Sequence, residues 1–434
     1  AELVDLLTEL ETASGRDLGT WAQAWLTTAG VNTLRTALDT DSAGTILAAS
    51  LTQTAPATHP QLRPQRVAAG GYGPGPHGTT TRLWGGELSI VGENTEIGFA
   101  VGRTHPGLIL PNDGDLGYAK LRLDADSLAY AIGHVGEIAD PLARAVVWGS
   151  LWDQTRDAEA SARDWVETAT RWLGRETSSS TLRTVLATLA TALAFYVAPE
   201  DREALTGAAA ERLEVLLDAA PAGSDRQLHL LRAFAGHART TEQLARVEAI
   251  LAGHAPLPGR PIDTDLGWAL LDVLVRAGLA GDERIGAALA ADRSAAGQSW
   301  AARLRATVPT AAAKAEAWEQ ATANYSLANE LQGATIAGFA DVLDPGLVAG
   351  YAVPYFALLE ETWAARSYEM ASNVVEGLYP AQLAGHPGID LLGLTDAWLE
   401  GLGDRTPALR RLVVEARAGA ARSLAAQAFD RATR

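Results

Sequence analysis

The chain has 434 residues, 47% of them hydrophobic and 20% charged, so it exceeds the size at which one core stops growing, global disorder is excluded, and two or more globular domains are expected. Its 35 Lys and Arg stand against 52 Asp and Glu, a net charge of −17 that repels polyanions and excludes nucleic acid as an expected partner. There is no cysteine, which removes thiol nucleophiles, disulfides and thiolate metal ligands together.

The longest strongly apolar stretch without charge, Thr184 to Ala198, is shorter than the roughly 20 residues of a spanning helix, so no membrane partner is expected. The chain opens at Ala1, with neither an initiator methionine nor a basic-then-apolar leader. The expectations are a cytoplasmic location and a chain that begins inside something longer. Lys120 and Lys314 are the only lysines, which reads as genome composition and carries no functional weight.

Residues 1–34 read as helical. Leu3, Leu6, Leu7 and Leu10 share one face, Ser14-Gly15 breaks the pattern, Asp17 is placed to cap a second helix carrying Trp21, Trp25 and Leu26, and Gly30 stops it. From residue 35 to residue 123 the texture is that of a β-sandwich, short runs cut by Gly, Pro and Asn. Leu47, Ala49 and Leu51 alternate, as do Ile97, Phe99 and Val101, and then Leu121 and Leu123. The turn-rich Asn112-Asp113-Gly114-Asp115 between Leu108–Leu110 and Tyr118–Leu123 predicts a hairpin.

Residues 124–434 read as helix throughout. Leu182, Val185, Leu186, Leu189 and Leu193 form one amphipathic stripe, and Leu391, Leu394, Trp398 and Leu402 form another. Breaks at Pro221, Pro256–Gly259, Pro309, Pro345 and Pro380 leave helix-pair lengths between them. The fold class that follows is mostly α with a small β domain: a β-sandwich followed by an α-solenoid of HEAT-like helical repeats, meeting near Asp124, with a concave surface on the solenoid.

No pattern in the sequence supplies catalysis. None of the eight histidines is followed by Glu in a His-Glu-x-x-His pattern, and His134 with Glu137 offers at most half a metal site, a pairing more common in solvated or capping groups. Gly73, Gly75 and Gly78 have the spacing of a dinucleotide loop, but Pro74 and Pro76 interrupt it and Thr79 to Thr81 read as strand, so a sandwich loop is expected. Asn112, Asp113 and Asp115 lack the spacing of a calcium loop. Ser299, in Gly-Gln-Ser-Trp-Ala, lacks the last glycine and the strand-turn-helix setting of a nucleophile elbow. The pairs Trp148/Trp152 and Trp165/Trp172 lie on single helix faces, as core packing requires. No catalytic residue, no metal ligand and no cavity-lining residue is assigned.

Four stretches together resemble one family: SGRDLGTW (Ser14–Trp21) with AWLTTAGVNT (Ala24–Thr33); PNDGDLGYAK (Pro111–Lys120); DPLAR (Asp140–Arg144) through Trp148 with WDQTRD (Trp152–Asp157); and Pro258-Gly259 with Asp263 to Trp268. In this order they resemble the carboxy-terminal half of the aminopeptidase N-type zinc metallopeptidases, particularly actinobacterial ones, whose helical domain is related to that of endoplasmic reticulum aminopeptidases. Gln427 to Asp430 is similar to the family's end.

The resemblance implies that residues 1–34 are the last helices of a catalytic domain otherwise absent. It also implies that residues 35–123 are the sandwich and residues 124–434 the helical cover that completes and gates the substrate cavity of an enzyme removing amino-terminal residues from peptides. The family's zinc helix, Gly-x-Met-Glu-Asn segment and catalytic tyrosine would all precede this chain. Met370, the single methionine, lies in Glu-Met-Ala, so no catalytic or zinc-binding residue carries over and zinc belongs to the parent enzyme. Gly267 departs from the pattern, since relatives more often carry arginine there. The implied partners are the amino-terminal catalytic half and peptides. A stand-alone helical-repeat protein-binding module is the alternative, and a third account is that the sequence is one part of an active enzyme.

Overall fold

The structure is a computed structural model describing residues 2–434. The chain divides into two compact units, one comprising residues up to Ala160 together with Glu167–Val185, the other comprising Ser161–Val166 and Leu186–Arg434.

The first unit opens with α1 (Leu3–Ser14) and α2 (Gly19–Leu26). Glu2 and Asp5 cap the start of α1 reciprocally, and Gly15, at φ 66°, ends it in the left-handed region open to glycine. None of the side chains of α1 is buried. Asp17 accepts from the Gly19 N–H, but the residue that precedes the helix is Leu18, so Asp17 lies one position ahead of the expected cap. Unlike α1, this helix is fastened to the sandwich. Ala22 and Ala24 are buried, Trp25 Nε1 donates to the Pro64 carbonyl (3.0 Å), and the buried Arg63 donates to the carbonyls of Ala24, Thr28 and Ala29, all at 2.9 Å. Those are carbonyls at the end of α2, so a cation from the sandwich satisfies what the helix cannot satisfy itself.

Seven strands follow: β1 (Thr33–Thr40), β2 (Ile46–Thr54), β3 (Gln65–Pro74), β4 (Thr80–Ile90), β5 (Asn94–Glu96), β6 (Leu108–Pro111) and β7 (Lys120–Arg122). They form two sheets, ordered β5-β2-β1-β7 and β4-β3-β6, antiparallel except for β1 with β7. Leu34, Ile46, Ala49 and Leu51 from the first sheet share a buried core with Val67, Ala69, Ile90 and Ile109 from the second, which makes the pair a β-sandwich.

Three local expectations are corrected. Leu47 is exposed, because the β1/β2 register shifts next to it, Asp39 pairing with Ala48 and Thr40 with Ile46; the extra residue of this bulge turns Ile46 inward in its place. Ile97 and Ala100 are buried, but Gly98–Ala100 is a 3₁₀ turn and the strand ends at Glu96. The segment after β6 is no hairpin, since β6 pairs with β3 in one sheet and β7 with β1 in the other. Asn112, Gly114 and Asp115 all have positive φ, and Asn112 closes the turn by accepting from the Gly117 N–H (2.8 Å) and donating to the Gly117 carbonyl (2.9 Å). The chain thereby crosses from sheet to sheet.

Strand gives way to helix at Asp124, which caps α3 (Ala125–His134) through the Ser127 N–H. The compact unit continues through α4 (Pro141–Arg156) and takes in much of α5 (Ala162–Trp172) and α6 (Ser179–Thr191). Two ion-pair groups tie these helices in. Arg122, nearly inaccessible on β7, meets Asp157 and Glu159 just beyond α4, with Lys120 also on Asp157. Arg144 on α4 forms a two-pronged pair with Glu176 (3.0 Å twice), both residues being buried, and donates to the Ile138 carbonyl at 2.6 Å. Burial works to raise the Glu176 carboxyl, yet hydrogen bonds from Arg144 and the Ser178 and Thr177 amides hold it below the usual carboxylate range.

The second unit is helical. The predicted stripe Leu182, Val185, Leu186, Leu189 and Leu193 is buried throughout, and the helix loosens into a π turn at Ala192–Tyr196. Then come α7 (Pro199–Asp218), α8 (Asp225–His237), α9 (Thr241–Leu251), α10 (Thr264–Arg276), α11 (Asp282–Ala291), α12 (Ala295–Thr307), α13 (Ala311–Thr322), α14 (Asn329–Ala340), α15 (Ala352–Ala365), α16 (Tyr368–Gly377), α17 (Leu391–Leu402) and α18 (Pro407–Ala432). Helices α8, α10, α12, α14, α16 and α18 pack successively on one another, and each odd-numbered helix from α7 to α17 packs on the even one after it. That two-layer stacking is an α-solenoid. Among the described residues no single helix is long and apolar enough to cross a membrane.

Removing one partner of the buried Arg144–Glu176 pair leaves the other charge uncompensated. Glu176→Ala is expected to cost the sandwich unit about 3–5 kcal/mol, and an Arg144→Met/Glu176→Leu double variant less than either single change. Urea unfolding followed by tryptophan fluorescence measures both.

Candidate functional site

The residues weighed for chemistry are occupied by structural work. His134 Nδ1 lies 2.7 Å from Glu137 Oε2, and its ring stacks on Tyr130 at 4.3 Å. Among the described residues no three His, Cys, Asp or Glu side chains come together as a metal ion needs, so the residues present do not fit a zinc site. Gly73 lies within β3, paired with Thr81, and Gly75 in the β3–β4 connection, where its N–H donates to the Thr79 carbonyl (2.7 Å); Gly78 ends a single 3₁₀ turn and strand β4 follows. A Cβ at Gly73 would stand 2.3 Å from the Pro106 carbonyl oxygen, so that glycine admits another segment of backbone.

Asp113 is buried and accepts from Tyr72 Oη (2.6 Å) and Arg82 Nε (2.8 Å), which uses its carboxylate within the sandwich. Burial and the Asp113 bond push the Tyr72 phenol far above its ordinary range. Ser299 lies inside α12, half-buried in a helical setting. Trp148 and Trp165 are buried, Trp152 is half-buried, and Trp172 donates to the Ile132 carbonyl (3.0 Å) while packing on Gly136. Trp268, beside Gly267, is buried, donates to Asp292 (3.0 Å) and stacks parallel to Trp300. A Cβ at Gly267 would meet nothing closer than 3.8 Å, so the position has room for a side chain.

The densest group of shifted titratable residues was not singled out in the sequence. It lies where α8, α10, α12 and α14 end. Arg276 donates to the Gly236 carbonyl (2.9 Å), Arg239 to those of Gly236 and Ala238 (3.1 and 2.8 Å), and Lys314 to those of Ala306, Gly338 and Phe339 (2.6, 2.9 and 3.1 Å). Asp341 receives Arg276 (3.1 Å) and Arg303 (2.9 Å), and Asp272 lies 3.4 Å from Arg303. Burial lowers Lys314 to about 8 against the pull of Asp341 and Asp272, and lowers Arg239 to about 10. Burial raises the Asp272 carboxyl, with Arg303 opposing and Asp341 adding to the effect. Lys314 is fully buried and can only fasten helix ends, while Arg303 and Asp341 at the edge of the group are partly exposed. A lone lysine in the alanine-rich run Ala311–Ala317 was its only sequence signal.

Relatives decide the class of the chain. Residues 108–422 match the family described as the ERAP1-like C-terminal domain. The chain belongs to that family. It is also 43% identical over 436 aligned residues to aminopeptidase N of Streptomyces lividans, a match covering 99% of the chain and 50% of the relative. The chain thus spans about half the length of this curated relative. Among solved structures, aminopeptidase A of Legionella pneumophila in complex with aspartic acid superposes with a TM-score of 0.56 at 12% identity, covering 95% of this chain and 52% of that one. That likeness is one of fold. The family member described here is therefore the carboxy-terminal part of an aminopeptidase N-like protein.

Two outcomes test the helix-end group. Replacing Lys314 by Met leaves three carbonyls without their donor and is expected to cost about 2–4 kcal/mol, with the ends of α12 and α14 losing hydrogen-exchange protection first. The second concerns pH. Burial pushes the His237 imidazole down to about 4, its bond to the Ala233 carbonyl opposing and Arg239 and Arg276 adding to the effect. The unfolded chain takes a proton near pH 6.5 that the folded chain refuses until about pH 4, so stability is full above 6.5 and falls as pH drops through that window. Unfolding free energies from urea titrations at pH 7.5 and 5.0 should differ by about 2 kcal/mol more for this protein than for its His237→Gln variant.

Proposed function

We propose that this chain is the non-catalytic carboxy-terminal region of a zinc aminopeptidase, completing the substrate cavity of an amino-terminal catalytic half and gating the entry of peptides. The observation that carries this reading is α1. Leu3, Val4, Leu6 and Leu10 are 51%, 59%, 56% and 40% exposed, and no side chain of the helix is fully buried, whereas α2 beside it is fastened to the sandwich. A chain matching half of its curated relative, with a bare apolar helix at that junction, is consistent with residues 1–34 being the last helices of the catalytic domain. Burying those four side chains against the other half would contribute roughly 1.5–3 kcal/mol each before the cost of association. Zinc and the peptide chemistry would belong to that half.

Co-expression with the amino-terminal half of the Streptomyces lividans relative tests the proposal. The expected product is a complex that holds about one zinc and hydrolyses aminoacyl-p-nitroanilides, while the present chain alone does neither. A Leu6→Glu/Leu10→Glu variant should bind that half at least tenfold more weakly. Stoichiometric zinc with chelator-sensitive hydrolysis by the chain alone would overturn the reading. Failure of the halves to associate would favour a stand-alone protein-binding module.

A further inference from the structure

We infer that the last turns of α18 form a reversible latch that closes the helical unit end to end. The observation is the side chain of Asp430, which is fully buried in the final turn of the final helix. Its Oδ1 accepts from Ser161 Oγ (2.8 Å) and the Arg163 N–H (2.9 Å), and its Oδ2 accepts from the Ala198 N–H (3.0 Å). Arg163 stands in the first turn of α5, and Ala198 is the residue before Pro199 where α7 begins. One carboxylate therefore caps the amino ends of two helices, at the positive end of each dipole. The local sequence agrees, for α7 begins at an alanine and has no side-chain cap of its own. Every residue named here belongs to the helical unit.

The composition of the seam makes it a latch rather than a weld. The buried side chains of the last two turns are Ala426, Gln427 and Asp430, one methyl group and two polar groups. Gln427 Nε2 donates to the Phe195 carbonyl in the π turn (2.8 Å) and to that of Ala384 (3.3 Å). Around them the pairs Arg431–Glu200 and Arg434–Asp201 are largely exposed, and pairs of that kind contribute little. The middle of the solenoid is instead held by Phe339, Tyr355, Leu359 and Val374. Closure therefore rests on directional hydrogen bonds set beside the half-buried Phe429 and the buried Tyr196 and Val197, and a seam of this kind can open locally without unfolding the rest.

Hydrogen-exchange mass spectrometry on the intact chain reads this directly, because the Arg163 and Ala198 amides are two of the bonds at issue. Peptides covering Ser161–Val166 and Val197–Asp201 should exchange at least tenfold faster than those of α12 and α14. The substitution Asp430→Asn should speed the first pair at least a further tenfold, leave α12 and α14 unchanged, and enlarge the radius of gyration measured by X-ray scattering. Ser161→Ala removes one donor to Asp430 and also the hydroxyl that accepts from the Arg163 and Asp164 amides (3.1 and 3.3 Å), so it should speed Ser161–Val166 strongly and Val197–Asp201 to an intermediate degree, and it guards against Asp430→Asn failing to fold. Exchange of all these amides at one common rate, or equal acceleration everywhere in either variant, would make the contact part of the core and overturn the latch.

Discussion

Stacked helices that point the same way gather their unpaired carbonyls at one edge, and the helical unit depends on how that edge is satisfied. Here α8, α10, α12 and α14 end close together, as the bonds from Arg276 to the end of α8 and from Lys314 to the ends of both α12 and α14 require. Each buried carbonyl without a donor costs about 1–3 kcal/mol, and partial negative charges brought side by side repel. The chain answers with cations from within: Arg239, Arg276, Arg303 and Lys314, steadied by Asp272 and Asp341. Lysine suits the innermost place, since one ammonium group has three donors and faces three carbonyls.

The sandwich unit solves the same problem with different geometry. Arg63 closes the end of α2 from a loop, and Arg144 holds Glu176 in two-pronged contact while also reaching the Ile138 carbonyl. In both units charged groups enter the interior at helix ends, where backbone dipoles and opposite charges offset the loss of water. This accounts for the buried arginines and the buried lysine of the chain.

What could be read from the sequence followed from periodicity. Period two pointed to a β region over residues 35–123, close to the observed span of β1 to β7, and period 3.6 pointed to the helices after Asp124, because alternation is a local property. Leu47 misled because a bulge inverts alternation without leaving a sign in composition, and Asn112–Asp115 misled because the same turn chemistry serves a hairpin and a crossing between sheets. The compact units divide within α5 and α6 rather than at the last strand, since Arg122, Arg144 and Glu176 are joined by contacts between distant residues that no window of sequence contains. The tryptophan pairs could be read as core because helical spacing alone sets their face. Lys314 and Asp430 could not, since their roles depend on carbonyls and amides contributed by other helices.

The place of Asp430 in the chain orders events in time. It lies 269 residues after Ser161 and 232 after Ala198, the groups it joins. At a synthesis rate of about 5–20 residues per second, α5 and α7 leave the ribosome roughly 10–50 s before their shared cap exists. During that interval two helix ends are bare, and the nascent helical unit depends on its middle repeats to hold it together. A ribosome stalled before codon 430 would therefore display a stacked solenoid whose first helices are still frayed and open to chaperones and proteases.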